Sequence, residues 1–426
     1  MKLNLPSAWT PLRPHLVQSR LWRCDKRFVT VAAGRGSGKT ELALRRLALC
    51  SRVTNGLYFY AGPTVQQAKS VAWERLISLI PPQWLAPNSP NRSELTIKSI
   101  YGCEIRVVGM DKPQRIEGVQ YFGGIIDESA DIKPGAYTKS IFPTLSHHRG
   151  WVWRIGVPKR TGVGVREYKE AFDRGLEEGS SFTWESEDIL SAETIEEAKR
   201  QLDEVTYNEQ FRATWETIAG GIYHSFDKKT NVKEVFYNSE KEICVGSDFN
   251  VDPMCWVLGH LCGSGRDRWL EIFDEIKLRN TNTPATLAYL YNKYREHIKG
   301  WRFYGDAAGK NRSTTAAFSD YQLIQNDTNF KPKRILYPAA NPQRKDRFAT
   351  TNSLLKNAKG EIRVFISPKC THLIDDLSCR AYKEGTCEPD DSADIGHIAD
   401  AFDYIIYAEF PIGWNRIITS APKVGI

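Results

Sequence analysis

Ala33-Gly34-Arg35-Gly36-Ser37-Gly38-Lys39-Thr40 lies between a short apolar, β-branched run, residues 27–33, and a stretch with helical spacing, residues 41–50. Strand, glycine-rich loop and helix in that order predict a loop that holds nucleotide phosphates, and all eight residues are candidate nucleotide-binding positions. The glycines let backbone N–H groups converge on β- and γ-phosphates. Lys39 supplies a cation there, the Thr40 hydroxyl reaches Mg²⁺, and the helix N-terminus adds its dipole. Ala33 stands where the general pattern begins with Gly. A second apolar run, residues 121–126, ends in Asp127-Glu128. A neighbouring strand delivers acids in this way, which assigns Asp127 to the metal and Glu128 to orienting or deprotonating the attacking water. The expected cofactor of this part is ATP with Mg²⁺.

Around this centre the chain has 426 residues, 41% hydrophobic and 26% charged, which predicts a globular protein of two or three domains. No apolar stretch reaches membrane-spanning length, and Met-Lys-Leu-Asn-Leu-Pro at the start lacks the apolar block of a secretory signal. A cytoplasmic protein without a membrane partner is expected. Nine cysteines without a Cys-x-x-Cys pair are expected to be reduced core residues. The net charge of +7 permits a polyanion partner. The clusters Lys331-Pro-Lys-Arg334 and Arg344-Lys-Asp-Arg347, in loop-like stretches, and Lys159-Arg160, after a Pro, fit phosphate contacts indifferent to sequence.

Residues 11–22, with Gln18 and Trp22, are candidates to cover an adenine. Residues 56–61 predict a strand, 65–80 a helix, and 93–108 strand and hairpin material, which together imply a mostly parallel sheet covered on both faces. Residues 151–158 predict a strand ending in a tight turn, placed to sense the γ-phosphate. Residues 168–216 turn helical and acidic, most clearly over 193–205, as a small lid, and Gly220-Gly221 with residues 227–233 make a linker. Beyond it, residues 242–248, 254–262 and 268–277 predict a three-strand meander whose last turn is Gly263 to Asp267. A helix over 283–298 and a strand over 301–305 follow, giving an α/β domain with a mixed sheet. The expected division is therefore 1–165, a P-loop ATPase core; 166–226, helical lid and linker; and 227–426, a second α/β domain.

In that second domain Asp248 and Asp306 end strands, and Asp400 lies on an apolar helix over 395–410, three residues from His397 and on the same face. Two carboxylates at strand ends and a third on a packed helix can converge on two divalent ions that activate water for phosphodiester cleavage. Asp252, Asp394 and Asp403 compete for these roles.

Gly34-Arg-Gly-Ser-Gly-Lys-Thr40, Ile125-Ile-Asp-Glu128, Gly156-Val-Pro158, Gly246-Ser-Asp-Phe-Asn250, Tyr304-Gly-Asp-Ala-Ala308 and His397-Ile-Ala-Asp-Ala-Phe-Asp-Tyr404, in that order, resemble the large subunit of a tailed-phage terminase over nearly the whole chain. The resemblance implies an N-terminal ATPase that translocates double-stranded DNA into a procapsid and a C-terminal, RNase H-like nuclease that cuts concatemers with two Mg²⁺ or Mn²⁺ ions. It implies that Arg35 is the family's phosphate-loop arginine, that Asp248, Asp306 and Asp400 are the nuclease acids, and that His397 is a further metal ligand. It also implies a portal ring and a small terminase subunit as partners, a homo-oligomeric ring, and action in the cytoplasm of an infected bacterium. Arg115 is a candidate arginine finger acting in trans. Gly156-Val-Pro158 lacks the hydroxyl residue common in the family's coupling motif. The rivals are a helicase-like repair or restriction ATPase-nuclease, which requires a second ATPase-type lobe, and an ATPase whose second domain only clamps DNA. The meander and its acids favour the first.

Overall fold

The computed structural model describes residues 15–160, 162–215, 221–250, 252–310, 318–330, 333–383, 388–390 and 395–411. They form two compact units, one within Met1–Glu196 and Tyr207–Ile218, the other within Glu197–Thr206 and Ala219–Trp414.

The first unit is built on seven strands: β1 (Phe28–Ala32), β2 (Leu57–Gly62), β3 (Thr96–Lys98), β4 (Glu104–Gly109), β5 (Gly123–Ile126), β6 (Trp151–Gly156) and β7 (Ser181–Phe182). Their order is β3-β4-β2-β5-β6-β1-β7, and every neighbouring pair is parallel except β3 with β4. Alternate residues enter opposite layers. Val31, Tyr60, Ile125 and Trp153 pack with Leu42 and Leu47 of the helix Lys39–Cys50, while Phe59, Ala61, Ile126 and Val152 pack with Ile116, Ile141 and Leu145. Burial on both faces is why β2 and β5 are apolar throughout, whereas β4, next to the edge strand β3, alternates. The helix expected over 65–80 contains a π turn, Lys69–Trp73, between Val65–Ala68 and Glu74–Leu79. The stretch expected to be wholly helical holds the helices Val165–Glu178, Ala192–Gln201 and Glu204–Phe211, but also β7, which pairs with β1. The run over 193–205 is broken because the Asp203 carboxylate accepts the Thr206 N–H (2.9 Å) and so starts a new helix.

The second unit carries β8 (Ile243–Asp248), β9 (Met254–Cys262), β10 (Trp269–Leu278), β11 (Trp301–Gly305), β12 (Lys333–Leu336) and β13 (Val364–Ile366), in the order β12-β11-β8-β9-β10-β13. Strands β8, β9 and β10 form the antiparallel meander, and β11, β12 and β13 join in parallel, which is the mixed, RNase H-like sheet. One layer gathers Ile243, Val245, Trp256 and Phe303 with the helices Thr283–Lys293 and Asp320–Asn326. The other gathers Cys244, Val257, Ile272 and Tyr304 with Arg344–Leu355, Thr371–Cys379 and His397–Glu409. An irregularity between Ile272 and Asp274 shifts the register, so Ile272 and Ile276 serve opposite layers. A Cβ on Gly246 would lie 2.1 Å from the Ala401 carbonyl oxygen, so this glycine lets the helix His397–Glu409 lie directly on β8. Burial pushes the Cys50, Cys103 and Cys244 thiols up to about 12, as suits reduced core residues. Among the described residues no helix is long and apolar enough to cross a membrane.

Candidate functional site

In the first unit the helix Lys39–Cys50 starts from Gly38 (φ 82°), two residues after Gly36 (φ 70°), both in the left-handed region open to glycine. Packed side chains fasten the loop. The Gly34 N–H donates to the Trp184 carbonyl (3.0 Å), Trp184 Nε1 to the Ser37 carbonyl (2.9 Å) and Ser186 Oγ to the Arg35 carbonyl (2.7 Å). Arg35 donates from its backbone N–H to the Gln210 carbonyl (2.6 Å) and from Nε to Gln210 Oε1 (3.0 Å). The loop's shape is thus fixed by protein contacts, which is how a phosphate cradle is pre-organised.

Strand β5 brings its acids to the loop. Thr40 Oγ1 donates to Asp127 Oδ2 (2.9 Å), the Tyr60 hydroxyl donates to the same oxygen (2.6 Å), and the Glu128 N–H donates to Asp127 Oδ1 (2.8 Å). Burial pushes the Asp127 carboxyl up, the Glu128 charge adds to this, and Lys39 opposes it. Burial also lowers the Lys39 pKa, against the pull of Glu128 and Asp127. A hydroxyl and a carboxylate already in contact are hard oxygen donors that fit Mg²⁺.

Glu128 has a left-handed backbone (φ 50°, ψ 49°), uncommon for a residue with a Cβ. Burial works against its charge, but Lys159, Lys39 and Arg35 outweigh that and hold its carboxyl below the usual carboxylate range. Lys159 corrects an expectation. It is not a surface cation for DNA: its Nζ lies 2.6 Å from Asp131 Oδ2 and 3.2 Å from Glu128 Oε2, with 17% of its side chain exposed. Pro-Lys-Arg after a strand carries no local signal of that burial. Gln18 is a second correction. Its Nε2 donates to the Ser37 carbonyl (2.9 Å) and braces the loop from beneath, while Trp22 packs against the core; residues 11–14 lie outside the described residues. Arg115 is exposed on the short turn Pro113–Ile116.

In the second unit β8 and β11 are parallel with Ser247 opposite Gly305, so Asp248 and Asp306 leave the same edge of the sheet. His397 Nδ1 lies 3.0 Å from Asp248 Oδ2, and Asn250 Nδ2 donates to that oxygen (2.7 Å). Burial pushes the Asp248 carboxyl up; its hydrogen bond with His397 opposes this, while the Asp400 and Asp306 charges add to it. Asp306 Oδ1 accepts the Gly309 N–H (3.0 Å). Asp400 is engaged elsewhere. Arg380 reaches both of its oxygens (3.0 and 3.3 Å), and Arg347 Nη2 lies 3.3 Å from Oδ1. Among the described residues no three His, Cys, Asp or Glu side chains are grouped to hold a metal ion. Asp248 and Asp306 fit a hard cation, whereas Asp400 in this arrangement is neutralised by two arginines.

The competitors separate. Asp403 is fully buried and accepts from Thr351 Oγ1 (2.6 Å) and the Tyr223 hydroxyl (3.0 Å), so it belongs to the core. Asp252 pairs with Arg279 (3.2 Å) at the surface, and Asp394 lies outside the described residues. Arg347 is also corrected: expected in a loop, it sits on the helix Arg344–Leu355 and is 4% exposed, because its charge is used by Asp400. Lys333 and Arg334 belong to β12 instead of a loop, while Lys331 and Pro332 lie outside the described residues. Nothing in the sequence singled out Arg380.

A family model described as "Terminase large subunit, T4likevirus-type, N-terminal" matches residues 31–229. The terminase large subunit of Escherichia phage T5 is 23% identical over 213 residues, 49% of this chain and 48% of that protein. That of Thermus virus P23-45 is 23% identical over 281 residues, 56% of this chain and 58% of that protein. The chain thus spans about half the length of the curated relatives it matches. The large terminase of a thermophilic bacteriophage superposes with a TM-score of 0.60 at 16% identity, covering 92% of this chain and 97% of that one. The same phage protein in complex with ATP-γ-S superposes with a TM-score of 0.58 at 17% identity, covering 92% and 98%. By a family match over residues 31–229 and a fold shared over nearly its whole length, the chain is similar to the large subunits of phage terminases.

Proposed function

We propose that this chain is the ATP-driven DNA packaging motor of a tailed phage, translocating double-stranded DNA into a procapsid and cutting concatemers with a metal-dependent endonuclease. In this reading residues 1–165 are the ATPase core, 166–226 the lid and linker, and 227–426 the nuclease domain. The observation that carries it is the contact of Thr40 with Asp127 beside the buried Lys39, with Glu128 next in the chain. Lys39, Arg35 and the N–H groups at the start of the helix Lys39–Cys50 bind and orient the triphosphate, and Glu128 takes the proton of the attacking water. Thr40 and Asp127 would hold Mg²⁺, which when bound would supply charge neutralisation on the phosphates. The ATP-γ-S complex of the thermophilic phage's large terminase supports nucleotide use.

Asp248, Asp306 and Asp400, with His397, are the proposed nuclease ligands and would hold Mg²⁺ or Mn²⁺, which would supply Lewis acidity. Engagement of Asp400 requires it to leave Arg380 and Arg347. Work with a portal ring and a small terminase subunit, assembly into a homo-oligomeric ring, and action in the cytoplasm of an infected bacterium belong to the same proposal. One observation favours a second reading, a DNA clamp without cleavage: the two arginines on Asp400. Incubation with linear and supercoiled DNA, with and without Mn²⁺ and ATP, separates them. Mn²⁺-dependent nicking supports the nuclease. DNA binding without nicking under every condition supports the clamp.

A further inference from the structure

We infer that Lys159 is the positioning residue for Glu128, tying the carboxylate that activates water to the end of strand β6. This rests on the ATPase reading above. Strand β6 lies between β1, which leads into the phosphate loop, and β5, which ends in the acids. Its end is held firmly: the Gly156 carbonyl accepts the Ala33 N–H (3.0 Å), and Val157 and Pro158 are buried. Lys159 extends from that anchor. Its ammonium bridges Glu128 Oε2 (3.2 Å) and Asp131 Oδ2 (2.6 Å), and the Asp131 N–H donates to the Glu128 carbonyl (2.9 Å), closing a ring about the base.

A mostly buried ammonium needs carboxylate partners, and both of its partners come from the turn after β5. Glu128 has left the strand ladder, with a left-handed backbone, so its own secondary structure does not fix its side chain. Lys159 does. Any displacement of the end of β6 is passed to the base, which gives the strand expected to sense the γ-phosphate a physical means of doing so. Without Lys159 no ammonium bridges the Glu128 and Asp131 carboxylates, and they move apart. Nucleotide binding, carried by Lys39 and the loop, is not expected to follow.

The test is ATP hydrolysis and ADP titration of the full chain carrying Lys159→Ala, Lys159→Arg, Glu128→Gln, and Lys159→Ala combined with Glu128→Gln, with melting curves for each. Lys159→Ala should lower kcat about 10- to 100-fold, the effect of a misplaced catalytic group, with nucleotide affinity unchanged. Lys159→Arg should restore part of the loss. In the Glu128→Gln background, removing Lys159 should cost nothing further, because the two act as a unit. Wild-type kcat in Lys159→Ala, a loss residing in nucleotide affinity, or an equal loss on top of Glu128→Gln would overturn the inference alone. Absence of ATP hydrolysis by the unaltered protein, or near-normal turnover in Glu128→Gln, would overturn the ATPase reading and the inference with it.

Discussion

Lys39 and Glu128 face the same space with different work to do, and that difference is measurable. On the proposed ATPase reading, Lys39→Ala removes a cation that holds phosphate in ground and transition states alike, so binding and hydrolysis should weaken together. Glu128→Gln keeps the shape but cannot take a proton; binding should persist and hydrolysis fall by roughly 10²- to 10⁴-fold, as read by nucleotide titration and phosphate release. These candidate residues were legible because Gly34, Gly36, Gly38, Lys39 and Thr40 have the spacing of a phosphate-binding loop, and Asp127-Glu128 closes an apolar run. Lys159, Arg347 and Arg380 were not legible, since only tertiary packing buries them against Glu128 and Asp400. Asp403 gives a pH test. Burial pushes its carboxyl up from 3.8 to about 6, with Arg347 opposing. The folded state therefore keeps the proton longer than the unfolded chain between about pH 4 and 6, and stability from this group falls as pH rises through that window, by up to ~3 kcal/mol. Asp403→Asn removes the titration. Relative to the unaltered protein it should gain stability from pH 4 to pH 7 in urea melts, and a pH-independent difference would contradict the buried charge.

Among the elements, β1, the loop and the following helix, the meander β8 to β10 and the strand β11 were readable from apolar runs bounded by turn residues. The two-residue β7 and three-residue β13 were too short to leave a pattern, and the lid helix broke at Asp203, whose side chain competes for the backbone. Acids at strand ends could be foreseen from the alternation of strands and turns. The close contact of β8 with the helix His397–Glu409 could not, although Gly246 is its mark in the sequence. Gly246→Ala should drive a Cβ into the Ala401 carbonyl and destabilise the second unit by about 1–3 kcal/mol. Because the same helix carries Asp400, cleavage should fall as well. An unchanged melting curve for Gly246→Ala would mean that the helix can lift off the strand at no cost.

For the whole molecule, the order of the motifs along the chain was more informative than any one of them, and the family match and the fold shared with the thermophilic phage's large terminase agree with it. A net charge of +7, with no recognised groove-reading motif, predicts DNA binding that falls steeply with salt and ignores sequence. Titration of random duplexes at low and physiological salt checks this; a flat salt response would contradict it. The central claim is that one chain carries two separate reaction centres, hydrolysing ATP at Glu128 and cutting DNA at Asp248. It is tested most directly by measuring ATP hydrolysis and Mn²⁺-dependent nicking of supercoiled plasmid on the same preparations of Glu128→Gln and Asp248→Asn. Glu128→Gln should lose hydrolysis and still nick, and Asp248→Asn should hydrolyse ATP and no longer nick; robust nicking by Asp248→Asn, or loss of both activities in either variant with an unchanged melting curve, would contradict the account.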